Sequence, residues 1–100
     1  MKYKLLVRPE AEAELEEAYV WYEQQVAGLG IGSQFLLAVD VVIHAIRINP
    51  LQYPIAHMDV RRALTLKFPF QIFFVMHDTQ IVIISVFHGM RDPSVWQSRN

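Results

Sequence analysis

Seven consecutive residues, Ile81-Val82-Ile83-Ile84-Ser85-Val86-Phe87, carry one polar side chain among them and then give way to His88-Gly89-Met90-Arg91-Asp92-Pro93 and Trp96. A short, near-continuous apolar run rich in β-branched residues predicts a central strand, buried on both faces of a sheet. Its abrupt change of chemistry puts an imidazole, a guanidinium and a carboxylate on the sheet rim. Function is expected near that rim.

A chain of 100 residues is expected to form one domain over 1–100. At this length roughly 60 to 70% of the unfolded surface is buried, which leaves little room for a deep enclosed site. The hydrophobic share, 53%, is above the globular norm. It implies either a tight core or a surface that a partner covers, and the second is the expectation taken here. The chain has no cysteine, and Met1 leads straight into charged, strand-like sequence without a signal peptide. A cytoplasmic address follows as an expectation. The longest apolar run is far short of the roughly 20 residues that span a bilayer, so no membrane partner is expected. Net charge is -1, yet residues 60 to 100 hold Arg61, Arg62, Lys67, Arg91 and Arg99 against Asp78 and Asp92. The C-terminal part is therefore locally cationic, a footprint for an acidic partner or phosphate.

Lys2 to Arg8 reads as a first strand, stopped by Pro9, which suits the first turn of a helix. In that helix Ala11, Leu15, Ala18, Tyr19, Tyr22 and Val26 recur at helical spacing, with Glu10, Glu12 and Glu14 near its positive end, and Gly28 and Gly30 terminate it. Ser33 is expected to cap a second helix, whose core face is Phe35, Leu36, Val39, Val42, Ile43 and Ile46, ending at Asn49-Pro50. Leu37, Ala38, Val41 and Ala45 carry its apolar surface further round. Either the first helix and the sheet cover them or a second protein chain does. From Val60 to Lys67 a strand alternates, with Arg62, Leu64 and Leu66 on one face and Arg61, Ala63, Thr65 and Lys67 on the other. Phe70 to Met76, a turn at His77 to Gln80, and Ile81 to His88 form an antiparallel hairpin. The expected fold is α+β, in the order β-α-α-β-β-β, a helical hairpin packed on one face of a small antiparallel sheet whose opposite face is partly open.

Several fragments, in this order, resemble the ParE/RelE superfamily of bacterial type II toxin-antitoxin toxins. They are Arg8-Pro9-Glu10-Ala11 before the acidic helix with Tyr22, Asn49-Pro50 with Tyr53-Pro54, Arg61-Arg62, Lys67-Phe68-Pro69-Phe70-Gln71-Ile72-Phe73-Phe74, and Val86-Phe87-His88-Gly89-Met90-Arg91-Asp92-Pro93 with Trp96. Within it the chain is most similar to the ParE, or plasmid-stabilisation, branch. The resemblance implies toxicity, neutralisation by a cognate antitoxin, and a homodimer or toxin-antitoxin hetero-oligomer among its assemblies. It implies DNA gyrase as the target, or, if the RelE branch is followed, the ribosome and its messenger RNA.

The residues bear on that choice. Cleaving RNA through its 2'-hydroxyl needs a base, an acid and cations for the phosphorane. Arg61, Lys67, His88 and Arg91 are the catalytic candidates for a ribonuclease, His88 transferring the proton and the others supplying charge. Where the ribonuclease branch often has a C-terminal tyrosine, this chain offers Trp96, which donates a hydrogen bond and does not titrate usefully. Nine basic residues against ten acidic ones also suit RNA poorly. A gyrase-directed inhibitor is the first expectation, a ribonuclease the second, and a non-toxic antitoxin-binding module the third. Trp21, Arg61, Lys67, His88, Arg91 and Trp96 are the candidates for contact with target or antitoxin. Each has a plainer role available: His88 as a strand end, Arg91 and Asp92 as an ion pair with Asp92 capping a short helix, Trp96 as an anchor for that segment. Of the adjacent arginines, Arg61 is expected on the open face and Arg62 against a helix glutamate or snorkelling. No cofactor or metal is expected, because His44, His57, His77 and His88 lack ligand spacing.

Overall fold

The computed structural model describes residues 3–25 and 28–99. Lys2 and Val26, assigned above to the first strand and first helix, lie outside them. Strand β1 (Lys4–Val7) stops before Pro9, the first residue of helix α1 (Pro9–Gln25), whose first turn holds Glu10 and Glu12. Gly28 and Gly30 both take positive φ, +85° and +67°, and reverse the chain into helix α2 (Ile31–Ile48). Those angles favour glycine, since a Cβ there would crowd the backbone. Gly30 occupies the cap position, so the expected capping role of Ser33 is corrected. Ser33 lies inside the helix, and its backbone N–H donates to Glu23 Oε1 of α1 at 3.2 Å. A carboxylate from the neighbouring helix thus takes an orphan donor at the positive end of α2.

After a 3₁₀ turn at Pro50–Gln52 come β2 (Ile55–His57), β3 (Val60–Leu64), β4 (Phe70–His77), β5 (Gln80–His88) and a short helix α3 (Ser94–Gln97). The strand order is β1-β5-β4-β3-β2, with β5 inside the sheet as its apolar run demands. The three long C-terminal strands are antiparallel, and β1 adds a parallel strand on the other side of β5, Leu5 opposite Ile81 and Val7 opposite Ile83. β2 is a three-residue edge not anticipated from the sequence. β3 ends three residues earlier than expected. Lys67 has φ +70°, and Thr65 turns the chain by donating its hydroxyl to the carbonyls of Phe68 and Phe70 at 2.8 and 3.1 Å.

The helical hairpin covers one sheet face. Phe35, Val39, Val42 and Ile46 of α2 pack there with Ala63, Ile72, Phe74, Ile81 and Ile83, and the rings of Tyr22, Phe35, Phe68 and Phe70 meet edge to face or tilted. Each such side chain taken from water contributes about 1.5–3 kcal/mol. The opposite face carries a second cluster of Val60, Phe73, Val75, Val82, Ile84 and Phe87, onto which α3 presses Trp96, stacked on Phe73 at 3.7 Å. Along β5 the alternation changes phase. Phe73 pairs with Ser85 but Phe74 with Ile83, so Ile84 is the extra residue of a bulge. Odd-numbered residues face the helices before it and Val86 faces them after it.

The same alternation corrects the two arginines. Arg61 pairs with Phe74 and Ala63 with Ile72, both on the helix-covered face, whereas Arg62 pairs with Phe73 on the other. Arg62 is therefore the open-face residue. The side on which Arg61 and Ala63 fall is thus the inward one, and Ala63 and Thr65 are buried there.

Candidate functional site

β1 accompanies β5 only as far as Ile83, where Arg8 N–H donates to Ile83 O at 2.9 Å before Pro9 turns the chain away. From Ile84 onward β5 has no strand on that side, and unpaired backbone groups left there would be costly. Side chains replace the missing strand. Glu14 Oε1 accepts from Val86 N–H at 3.1 Å and from Ser85 Oγ at 3.0 Å, while Arg99 Nη1 donates to Ile84 O at 3.1 Å. The two are joined by a two-point ion pair, Arg99 Nη1 to Glu14 Oε1 at 2.9 Å and Nη2 to Oε2 at 3.2 Å. Both side chains are largely buried, at 11% and 16% exposure. In such surroundings a bidentate guanidinium–carboxylate pair is strong and directional.

Beyond this pair a shallow cleft of about 150 Å³ opens between α1 and the end of β5, with Trp21, Tyr22, His88 and Arg91 in its lining. Trp21 is 55% exposed and sets its ring edge-on to Tyr22 at 5.0 Å. His88 stands edge-on to Phe70 at 5.2 Å, and its Nδ1 accepts from Met90 N–H at 3.0 Å. That bond leaves Nε2 as the ring nitrogen that can face a ligand. Arg91 lies over the ring of Phe87 at 4.9 Å and 3.9 Å from Glu14 Oε2, with half of its side chain exposed. The negative charge of Glu14 is already met by Arg99, and the further charged groups lining the cleft are Arg91 and Glu17. Burial raises the pKa of Tyr22, which keeps its phenol neutral and able to donate.

Three candidates from the sequence thus converge: Trp21, His88 and Arg91. The others stand elsewhere. Arg61 donates to Tyr53 O at 2.6 Å on the helix side of the sheet. Lys67 sits on the β3–β4 turn, in a groove shared with Gln34 and Leu37 of α2. Trp96 is 4% exposed and holds α3 to the sheet. The anticipated Arg91–Asp92 ion pair is replaced by Arg91 with Glu14, while Asp92 does cap α3, its Oδ1 accepting from Ser94 N–H at 3.0 Å. That hydrogen bond lowers the Asp92 pKa. Among the described residues no three His, Asp or Glu side chains gather as a metal ion would require.

Glu14, Arg99 and Tyr22 were not singled out as site residues by sequence reasoning. For Glu14 a signal existed: it falls between Ala11 and Ala18 on the buried stripe of α1, where an unpaired carboxylate would be expensive.

The model for the ParE toxin of the type II toxin-antitoxin system parDE matches residues 5–93. This chain belongs to that family. It is a ParE-like toxin of a type II toxin-antitoxin module, the kind that is paired with an antitoxin. No curated protein sequence matches it significantly. Among solved structures, one described as "Chromosomal ParDE TA system from P. aeruginosa" superposes with TM-score 0.76 at 18% identity, covering 87% of this chain and 96% of that one. At such identity the likeness concerns the fold, and it matches the helical hairpin on a sheet described above.

Proposed function

We propose that this ParE-like toxin is a protein-binding inhibitor of DNA gyrase, acting in the bacterial cytoplasm and held inactive by its cognate antitoxin. The observation that carries the reading is the cleft at the end of β5, which pairs an exposed tryptophan with a half-exposed arginine. Aromatic and guanidinium side chains of this kind dominate the energetics of protein interfaces. The ribonuclease candidates, by contrast, are dispersed: Arg61 is engaged with Tyr53 O and Lys67 lies on a different loop from His88 and Arg91. The gyrase target itself is supported by membership of the ParE family and by its resemblance to the plasmid-stabilisation branch. A ribosome-dependent ribonuclease is the second reading, favoured by His88, Tyr22 and Arg91 lining one cleft.

Pulse labelling minutes after induction of the toxin alone separates these. The expected result is a prompt fall in DNA synthesis with translation spared, and inhibition of purified gyrase in a supercoiling assay. In that assay Arg91→Ala and Trp21→Ala should each weaken inhibition by about tenfold or more. A prompt fall in translation with gyrase unaffected overturns the proposal in favour of RNA cleavage, and His88→Ala should then abolish killing.

A further inference from the structure

The side of α2 turned away from the core leaves a row of large apolar side chains uncovered. Leu37, Val41 and Ile48 are 64%, 55% and 68% exposed, and His44 completes their row. Leu66, 72% exposed, continues the patch across a groove beside Leu37, Ala38 and Val41. The first helix and the sheet therefore do not cover this side.

Its pattern is specific. Leu37, Val41, His44 and Ile48 recur at intervals of four, three and four residues, the spacing of a seam between two helices. The residues beside the seam differ on its two sides. Toward β3 stand Ala38 and Ala45, small enough to let two helices approach closely. On the other side stand Asp40 and Arg47, of opposite charge and seven residues apart on the same helix. They are too far apart to pair with each other along that helix, since neighbours on a helix surface are three or four residues apart.

We propose that this face binds a second copy of the chain, the two α2 helices lying antiparallel about a two-fold axis. In that register Leu37 packs on Ile48 of the partner subunit and Val41 on His44 of the partner subunit. Asp40 meets Arg47 of the partner subunit, and the symmetry repeats every contact, as an isologous interface requires. The two alanines face their counterparts on the other flank. Arg47 is already poised along its flank, because Nη2 donates to Tyr3 O at 3.2 Å, and the remaining N–H groups of its guanidinium stay available. A lipid surface would fit less well, since an anionic bilayer repels Asp40 and the row is narrow. The seam spans about three turns of one helix, and interfaces at the low end of the size range are characteristically weak and reversible.

Sedimentation equilibrium on the purified toxin from about 5 to 500 µM tests this, a range chosen for an interface of this size. The expected mass rises from 11.6 kDa toward twice that value. Asp40→Arg and Arg47→Asp alone should each weaken association by about tenfold through like-charge contacts. The double variant Asp40→Arg/Arg47→Asp should restore it, which a merely damaged fold would not do. Leu37→Glu should leave a monomer with an unchanged thermal melt. A wild-type monomer across the whole range overturns the proposal and leaves the row to a protein of another sequence. Single charge swaps without effect, or a double swap that fails to restore association, equally overturn the antiparallel register.

Discussion

The two halves of β5 solve the same problem by different means. From Gln80 to Ile83 the strand is flanked by β1 through a backbone ladder, and from Ile84 to Val86 by two side chains, Glu14 and Arg99. A ladder spreads its bonds over many main-chain groups that no single substitution removes. The side-chain closure concentrates the same task in one carboxylate that accepts from Val86, Ser85 and Arg99 together. The half of β5 nearer the candidate site is therefore the half most exposed to point mutation. It also has no strand on the side away from β4, which leaves the cleft accessible.

The harshest test of this contrast is Glu14→Ala. It strands a mostly buried guanidinium and two backbone or hydroxyl donors, and should cost about 3–5 kcal/mol in urea unfolding. A loss under about 1 kcal/mol would mean that water replaces the pair and that the edge needs no closure. Trp96→Ala should come next, at about 3 kcal/mol, because it removes the ring that ties the segment before Arg99 to Phe73. Amide exchange should then accelerate at Val86 while residues 81–83 stay protected. On the ladder side, Val7→Ala trims a half-buried side chain and leaves its backbone bonds intact, for about 1 kcal/mol by the same unfolding assay. The smallest effect concerns pH. The carboxyl of Asp92 is held below its ordinary value of 3.8 by the N–H of Ser94. A lowered folded pKa means that its stabilisation is present above the unfolded value and is lost as pH falls through the lowered one. The fluorescence of Trp96, read in a Trp21→Phe background, should therefore report loosening of α3 only below about pH 3.8. Asp92→Asn should remove that dependence.

Local periodicity carried most of the fold. The apolar run at 81–87 is the inner strand, the core face of α2 is the one anticipated, and Gly28 and Gly30 take the positive φ angles of the turn that leads into α2. Trp96 takes the plainer of its two roles, an anchor for the segment that carries it, stacked on Phe73. What alternation could not supply is which face of β3 would be roofed. It separates Arg61 from Arg62 but is silent on the side, and the smallness of Ala63 was the cue that helices lie there. The closure of β5 was hidden for another reason. Glu14 and Arg99 are 85 residues apart, and their meeting depends on the length of β1, the bulge at Ile84 and the return of α3. The convergence of Trp21 with His88 and Arg91 likewise comes from the packing of α1 along β5.

The place of β5 has a consequence for timing during synthesis. This strand is the last of the sheet to be translated, yet both β1 and β4 flank it, and Ile81, Ile83 and Val86 form the floor on which the helical hairpin rests. A nascent chain on the ribosome therefore holds two finished helices with nothing to lie on, and a first strand whose only neighbour does not yet exist. Docking has to wait for contacts between chain segments some 76 residues apart, Lys4 with Gln80 among them. Until then the apolar side of α2 is open to chaperones and to any protein shaped to cradle it. The cleft lined by Trp21, His88 and Arg91 is therefore completed only when the last strand has been made, at the close of each round of translation.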